Sequence, residues 1–329
     1  GTYAGWNGHE SLPVLDYANP AVCDAIFDGD DSLLRRWLRP PWSIDGWRLD
    51  VVHMLGEGAG AGNNAALVRR LRDAVKTDRP DAWVLGEHFS EATRWLQGDQ
   101  EDGAMNYFGF AQPVRAWLAG LDVSYHPIRI DARECARWLT EARARIPYEN
   151  QLAQLNLLDS HDTARMFTLL GARTDRMKLA VAMLFTYPGV PSTYYGDEIG
   201  LEGGRDPDCR RCFDWDPSHW NRALFDGYRR FARLRRDRVE LRRGAFHVLA
   251  AHGETLAWAR FTDDRATLVV INAGVAPSRV TLPVWQLPTE IALWARIDST
   301  ETHFPRPDGT LELTVEPCGV IAFCGQEHR

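Results

Sequence analysis

Three carboxylates, Asp50, Glu87 and Asp162, stand where short apolar runs give way to polar residues. In parallel α/β folds that edge of the sheet is where active sites are built. Arg48 lies two residues before Asp50, so the alternation of a strand sends both side chains to one face. A guanidinium in that place favours the charged carboxylate. An ionised, positioned carboxylate is what covalent attack on an anomeric carbon requires. Taken alone, an Arg-x-Asp pair is equally an ion pair that ties down a strand, and a single Glu at a strand end is a cap or a solvated group. All three in order, each at a strand end, favour catalysis.

The elements that must position them follow from hydrophobic periodicity. Strands are expected over residues 43–52, 82–86, 104–107, 155–158 and 191–195, each ending in polar residues or a Gly- and Asp-rich loop. Between them residues 63–78 read as a helix with Leu67, Val68, Leu71, Ala74 and Val75 on one face and Pro80 as its stop. Residues 177–185 form an apolar helix, and 221–238 an amphipathic one. Strands alternating with helices predict an α/β fold with a parallel sheet. From about Leu241 the texture changes to short β-rich runs (246–250, 255–261, 267–272, 279–284, 310–315, 320–324), which predict an antiparallel sandwich.

A (β/α)8 barrel takes about 31 residues per unit. Five strands are found, and three more would need roughly 90 residues upstream. Only residues 1–40 precede the first strand, reading as loop to 20 and helix over 21–38. The expectation is the last five βα units of a TIM barrel, with its first three strands missing, followed by a β-sandwich. The divisions are 1–40, 41–240 and 241–329.

Local wording narrows the reading. Asp45-Gly46-Trp47-Arg48-Leu49-Asp50-Val51-Val52-His53, Leu85-Gly86-Glu87-His88-Phe89 and Asp159-Ser160-His161-Asp162-Thr163 resemble the conserved regions of glycoside hydrolase family 13, the α-amylase family. Ser11-Leu12-Pro13-Val14-Leu15-Asp16 is similar to the motif near the end of that family's excursion domain. Gly189-Val190-Pro191-Ser192-Thr193-Tyr194-Tyr195-Gly196-Asp197-Glu198 is similar to its eighth-strand motif. Its nearest form looks like the maltodextrin glucosidases, on Val51-Val52-His53-Met54-Leu55-Gly56-Glu57, Trp95-Leu96-Gln97, Asp206-Pro207-Asp208-Cys209-Arg210 and the Leu158-Asp159-Ser160 before His161.

The resemblance implies roles. Asp50 would be the nucleophile, Glu87 the acid/base, and Asp162 the carboxylate that grips the ring hydroxyls of a distorted sugar. Arg48 and His161 would position Asp50 and the non-reducing glucose, His53 would line the acceptor subsite, and Asp206 with Arg210 would bound the next sugar. It implies a retaining, cytoplasmic hydrolase that releases glucose from short α-1,4-linked maltodextrins. The alternative sharing these carboxylates is a neopullulanase or cyclomaltodextrinase, and the alternative of another class is an inactive or non-catalytic carbohydrate-binding relative. Retention of all three carboxylates beside Arg48 and His161 weighs against that last class. The family's first conserved region, an Asp and an Asn-His pair, is absent from these residues. Calcium ligation in some members uses that Asn, so no metal and no cofactor is expected.

Composition sets the outer limits. The 329 residues carry a net charge of −7, which argues against a nucleic-acid partner. No apolar run approaches the ~18–20 residues that span a bilayer. The expected partner is a maltodextrin substrate, with a homodimer possible in a full-length protein. Cys209 and Cys212 have the spacing of half a zinc site but lack a second pair, and Cys318 and Cys324 read as core residues. Arg229, Arg230, Arg233, Arg235, Arg236 and Arg238 read as a solvated helix face.

Overall fold

The computed structural model describes residues 3–56, 63–287, 291–297 and 299–327. Glu57, quoted above in a sequence motif, lies outside them, as do Gly1 and Thr2. The chain packs as two units, Gly1–Phe108 with Arg143–Leu155, and Gly109–Ala142 with Asn156–Arg329.

In the first unit three parallel strands run in the order β1 (Gly46–Leu49), β2 (Trp83–Gly86), β3 (Gly103–Ala104). Their register is set by Arg48 opposite Leu85, Leu49 opposite Gly86, and Gly86 opposite Ala104. β2 is nearly continuous in buried residues, as expected of a parallel strand covered on both faces. The Asn64–Asp78 helix buries Leu67, Val68, Leu71 and Val75. Leu67, Leu71 and Val75 pack with Phe27, Leu34, Leu38 and Val84 in one cluster. Spacings of three and four residues put these side chains on a single stripe.

The helix expected over 21–38 is broken. Pro20–Cys23 is α-helical, Asp24–Asp28 is a π turn, and helix resumes at Leu33–Leu38. The break falls on Gly29-Asp30-Asp31-Ser32, residues that favour turns over helix interiors. Arginines of the second piece hold it: Arg36 pairs with Asp31 at 2.5 Å and Arg35 with Asp30 at 3.1 Å.

β4 (Leu155–Asn156), at which the second unit's last segment begins, joins β5 (Val190–Pro191), and the Asn156 carbonyl accepts the Ser192 amide at 2.7 Å. The apolar helix runs over Thr174–Thr186 and the amphipathic one over Arg222–Asp237. Helices at Gln112–Ala119 and Ala132–Ala144 fill a stretch for which the sequence reading had no element.

The C-terminal strands are β6 (Ala245–His252), β7 (Thr255–Phe261), β8 (Ala266–Asn272), β9 (Ser278–Leu282), β10 (Ile291–Arg296), β11 (Thr302–His303), β12 (Leu311–Val315) and β13 (Gly319–Glu327). They form a six-stranded sheet, β11-β10-β13-β8-β7-β6, and a two-stranded sheet, β12-β9. All pairings within both are antiparallel. β10 and β11 were not foreseen. β10 is Ala-containing and carries a register shift between Ile291 and Leu293, which blurs its alternation.

Strand periodicity divides the burial. Ala257, Ala259, Leu268 and Val270 join Leu282, Leu311 and Leu313 in the core between the two sheets. Leu256, Trp258, Val269 and Ile271 point the other way, into a cluster with Val181, Leu184, Leu224 and Phe231 of the two helices.

Candidate active site

Because Arg48 pairs with Leu85 and Leu49 with Gly86, Asp50 and Glu87 leave adjacent parallel strands at the same level. The Glu87 amide still continues the ladder, donating to Leu49 O at 3.0 Å. Arg48 lies between the two carboxylates. One terminal nitrogen donates to Asp50 Oδ1 and the other to Glu87 Oε1, the latter at 2.5 Å. A single planar guanidinium therefore fixes both groups, a task that its rigid fork of donors suits. The two carboxylates differ in setting: the Asp50 side chain is 73% exposed and that of Glu87 only 6%. The open group is accessible to an incoming molecule, while the sheltered one is held in a single orientation.

Val51 adds a backbone contribution. It adopts φ 44°, ψ 42°, a left-handed conformation that is an outlier for a β-branched residue. In that conformation its N–H donates to Glu87 Oε2 at 2.9 Å. Both Glu87 oxygens thus meet donors.

A buried network lies behind Glu87. Gly86 precedes it because a Cβ there would sit 2.1 Å from a carboxylate oxygen of Glu101. Glu101 is fully buried and faces His88 Nε2 at 2.9 and 3.0 Å. Burial pushes the Glu101 carboxyl above its usual range. The His88 ring lies 4.3 Å from Trp95, whose indole N–H donates to Asn64 Oδ1 at 2.8 Å. Asn64 in turn donates to Val52 O and Leu55 O at 2.8 and 2.9 Å. That fixes the short turn carrying His53. The His53 ring is 6.0 Å from His88; burial first, and then the neighbouring His88, hold its pKa below the ordinary imidazole value. It is therefore a neutral group at pH 7.

Sequence reasoning missed Glu101 and Asn64. A buried Asn at the first turn of a helix is one available signal, since such a residue must spend its amide on backbone groups. Phe89 and Tyr107 stack at 4.2 Å, an aromatic pair that the sequence reading also left unassigned.

The second unit holds the other predicted group. His161 Nε2 lies 3.1 Å from Asp162 Oδ2, and the Asp162 amide donates to Ser160 Oγ at 3.1 Å. Arg210 donates from Nε to Asp206 Oδ1 at 2.6 Å and to the His161 carbonyl at 3.0 Å, and its terminal nitrogen reaches Asp162 Oδ1 at 3.3 Å. The Asp206–Arg210 pair is thus a loop ion pair that also touches the 161–162 turn. Cys209 is buried and donates its thiol to His161 O at 3.1 Å. Cys212 is exposed. Among the described residues no three His, Cys, Asp or Glu gather as a metal site.

Beneath this turn sits a group that the sequence reading did not single out. Arg165 is completely buried. It donates to Cys209 O at 3.0 Å, to Tyr195 O at 2.8 Å and to Asp197 Oδ1 at 2.9 Å, while its amide reaches Gly203 O at 3.0 Å. The guanidinium also lies 4.3 Å from the Tyr194 ring. Asp197 and Asp159 are both buried, and burial raises both carboxyls, while the hydrogen bond from Asp197 works to lower Asp159. Burial, then the Asp159 charge, lifts the Asp197 carboxyl well above its usual range. That direction favours a proton on Asp197 even with the Arg165 guanidinium beside it. A proton on Asp197 also supplies a donor to the Asp159 carboxylate, whose Oδ1 is buried without another partner.

The structure therefore brings Arg48, Asp50, Glu87 and His53 together in the first unit, and His161, Asp162, Asp206 and Arg210 together in the second.

Residues 2–235 match the family model described as the alpha amylase catalytic domain. The chain is 38% identical over 273 residues to a cyclomaltodextrinase of a Bacillus species, covering 82% of this chain and 45% of that protein. It is 36% identical over 323 residues to neopullulanase 2 of Thermoactinomyces vulgaris, covering 96% of this chain and 50% of the relative. The chain thus spans about half the length of these curated relatives. Among solved structures, the native debranching enzyme of Nostoc punctiforme superposes with a TM-score of 0.85 at 33% identity, over 98% of this chain and 65% of that one.

Proposed function

The chain belongs to the α-amylase family, and from that premise we propose that it carries the reacting carboxylates of a retaining α-glucoside hydrolase of the cyclomaltodextrinase–neopullulanase type. The observation that carries the chemistry is Arg48 held between Asp50 and Glu87. In this reading Asp50 attacks the anomeric carbon while Glu87 gives its proton to the leaving oxygen. Glu87 then takes a proton from the water that breaks the glycosyl ester, and two inversions restore the α-configuration. The roles that the family resemblance implies for His53 in the first unit, and for His161, Asp162, Asp206 and Arg210 in the second, are kept as part of this proposal.

The sequence reading put a glucose-releasing maltodextrin glucosidase first. The relatives named cyclomaltodextrinase and neopullulanase favour its alternative instead. The motifs shared by the two kinds of enzyme surround the reacting bond, which is why sequence wording could not separate them. Strands β1 to β5 belong, in this proposal, to the later part of an eight-stranded barrel, and the substrate is a cyclic or short linear maltodextrin.

Incubation with β-cyclodextrin, pullulan and maltotriose, followed by chromatography, tests the reading. Ring opening of the cyclodextrin supports it; glucose from maltotriose as the sole activity returns the reading to the maltodextrin glucosidases. Glu87→Gln is expected to lower kcat by about 10²–10⁴-fold, the contribution of a positioned acid. A product of β-configuration, or unchanged turnover in both Glu87→Gln and Asp50→Asn, would sink the mechanism.

A further inference from the structure

We propose that the cleft between the Arg222–Asp237 helix and strands β10 and β13 is a binding site for a small phosphorylated ligand, separate from the carboxylates above. The cleft has a volume of about 570 Å³, within the ~300–1,000 Å³ range of small-molecule pockets. Five arginines line it: Arg229, Arg230 and Arg233 from the helix, Arg238 just beyond its end, and Arg296 from β10. Among the described residues two carboxylates do so, Asp226 and Asp237. Asp237 is engaged by Arg236 at 2.9 Å, and Asp226 lies 3.8 Å from Arg229.

A chain of net charge −7 that concentrates guanidinium groups in one concavity creates a local field of the opposite sign there. Two of these arginines are anchored from behind, Arg296 by Glu301 at 2.8 Å and Arg238 by Glu240 at 3.5 Å. Anchoring lowers the entropy lost when such a side chain meets a ligand. Among the described residues Arg233 makes no ion pair, and its neighbour one turn earlier is Arg229. Guanidinium forks match the oxygens of a phosphate in pairs, whereas a spherical halide offers no such pair of acceptors.

The floor adds a second requirement. Leu234, Ile297 and Cys324 supply apolar surface beneath the arginines. Inorganic phosphate would leave that surface bare, whereas the carbon skeleton of a phosphate monoester covers it. A long polyanion would meet the negative remainder of the molecule. A hexose monophosphate combines the charge, the size and the apolar face that the cleft offers.

Isothermal titration of the chain with a hexose 6-phosphate and with inorganic phosphate, at about 50 mM ionic strength and against chloride of matched strength, tests this. Saturable one-to-one binding of the ester is expected, weakened about tenfold or more in Arg233→Glu and less in Arg229→Ala, with circular dichroism showing both variants folded. Tighter binding of the ester than of phosphate assigns the apolar floor to the ligand's carbons; equal affinity assigns the site to the phosphate group alone. No heat beyond the chloride control, or an affinity unchanged in folded Arg233→Glu, overturns the proposal.

Discussion

At the scale of single residues the site rests on groups that do two things at once. Arg48 addresses both Asp50 and Glu87, and a lysine, with one compact charge, cannot span the two. Arg48→Lys is therefore expected to lose about 1–2 kcal/mol of stability through the sheltered Glu87 contact, read as a shift in the urea midpoint. Unchanged stability would show that the bridge is incidental. Arg165 is the matching case in the second unit, where one side chain ties the 195, 197 and 209 backbone or carboxyl groups together. Arg165→Lys leaves buried acceptors without donors, which costs about 1–3 kcal/mol each, and calorimetry should show Tm falling accordingly. The Arg48–Asp50 relation was legible because it needs only strand alternation. The Glu101–His88 and Asn64 contacts were not, since they join residues 13 and 9 to 31 positions apart through packing alone.

At the scale of elements, the pairing register of β1 and β2 delivers the two carboxylates, and Gly86 is the residue on which that pairing depends. A methyl group there would meet the buried Glu101 carboxylate, so Gly86→Ala is expected to destabilise the fold by about 1–3 kcal/mol through overpacking. Equilibrium unfolding measures it; a neutral result would mean that Glu101 moves aside freely. Strands β1 to β5 stood at or beside the apolar runs that suggested them, β3 and β5 overlapping theirs by a single residue; a covered parallel strand such as β2 announces itself as such a run. Their lengths did not: β3, β4 and β5 are two residues each, set by which backbone groups find partners rather than by side-chain type. The helix expected over 21–38 failed for a local reason, turn-forming residues in its middle that the apolar pattern on either side concealed.

For the molecule as a whole, the buried Asp159–Asp197 pair predicts a pH dependence. A carboxyl whose pKa is higher in the folded state than unfolded binds its proton more firmly when folded. Its stabilising contribution is full below the ordinary value of 3.8 and is lost as pH rises through the folded value. Asp197→Asn mimics the protonated form. The thermal midpoint of the parent chain should therefore fall relative to this variant as pH is raised from 5 to 9, and parallel curves would show that the pair holds no proton. The antiparallel C-terminal region was legible from its short strands and turns, but the use of both its faces was not, because period-two alternation hides when every position is apolar. That double burial has a practical reach. Leu256, Trp258, Val269 and Ile271 are the other half of the contact that Leu224 and Phe231 make, although the texture of the chain changes between them, near residue 241. Severing the gene at that point would strip a hydrophobic wall from each piece, so the strands are no detachable accessory: helix and sheet are expected to melt in one step and to fold only in each other's company.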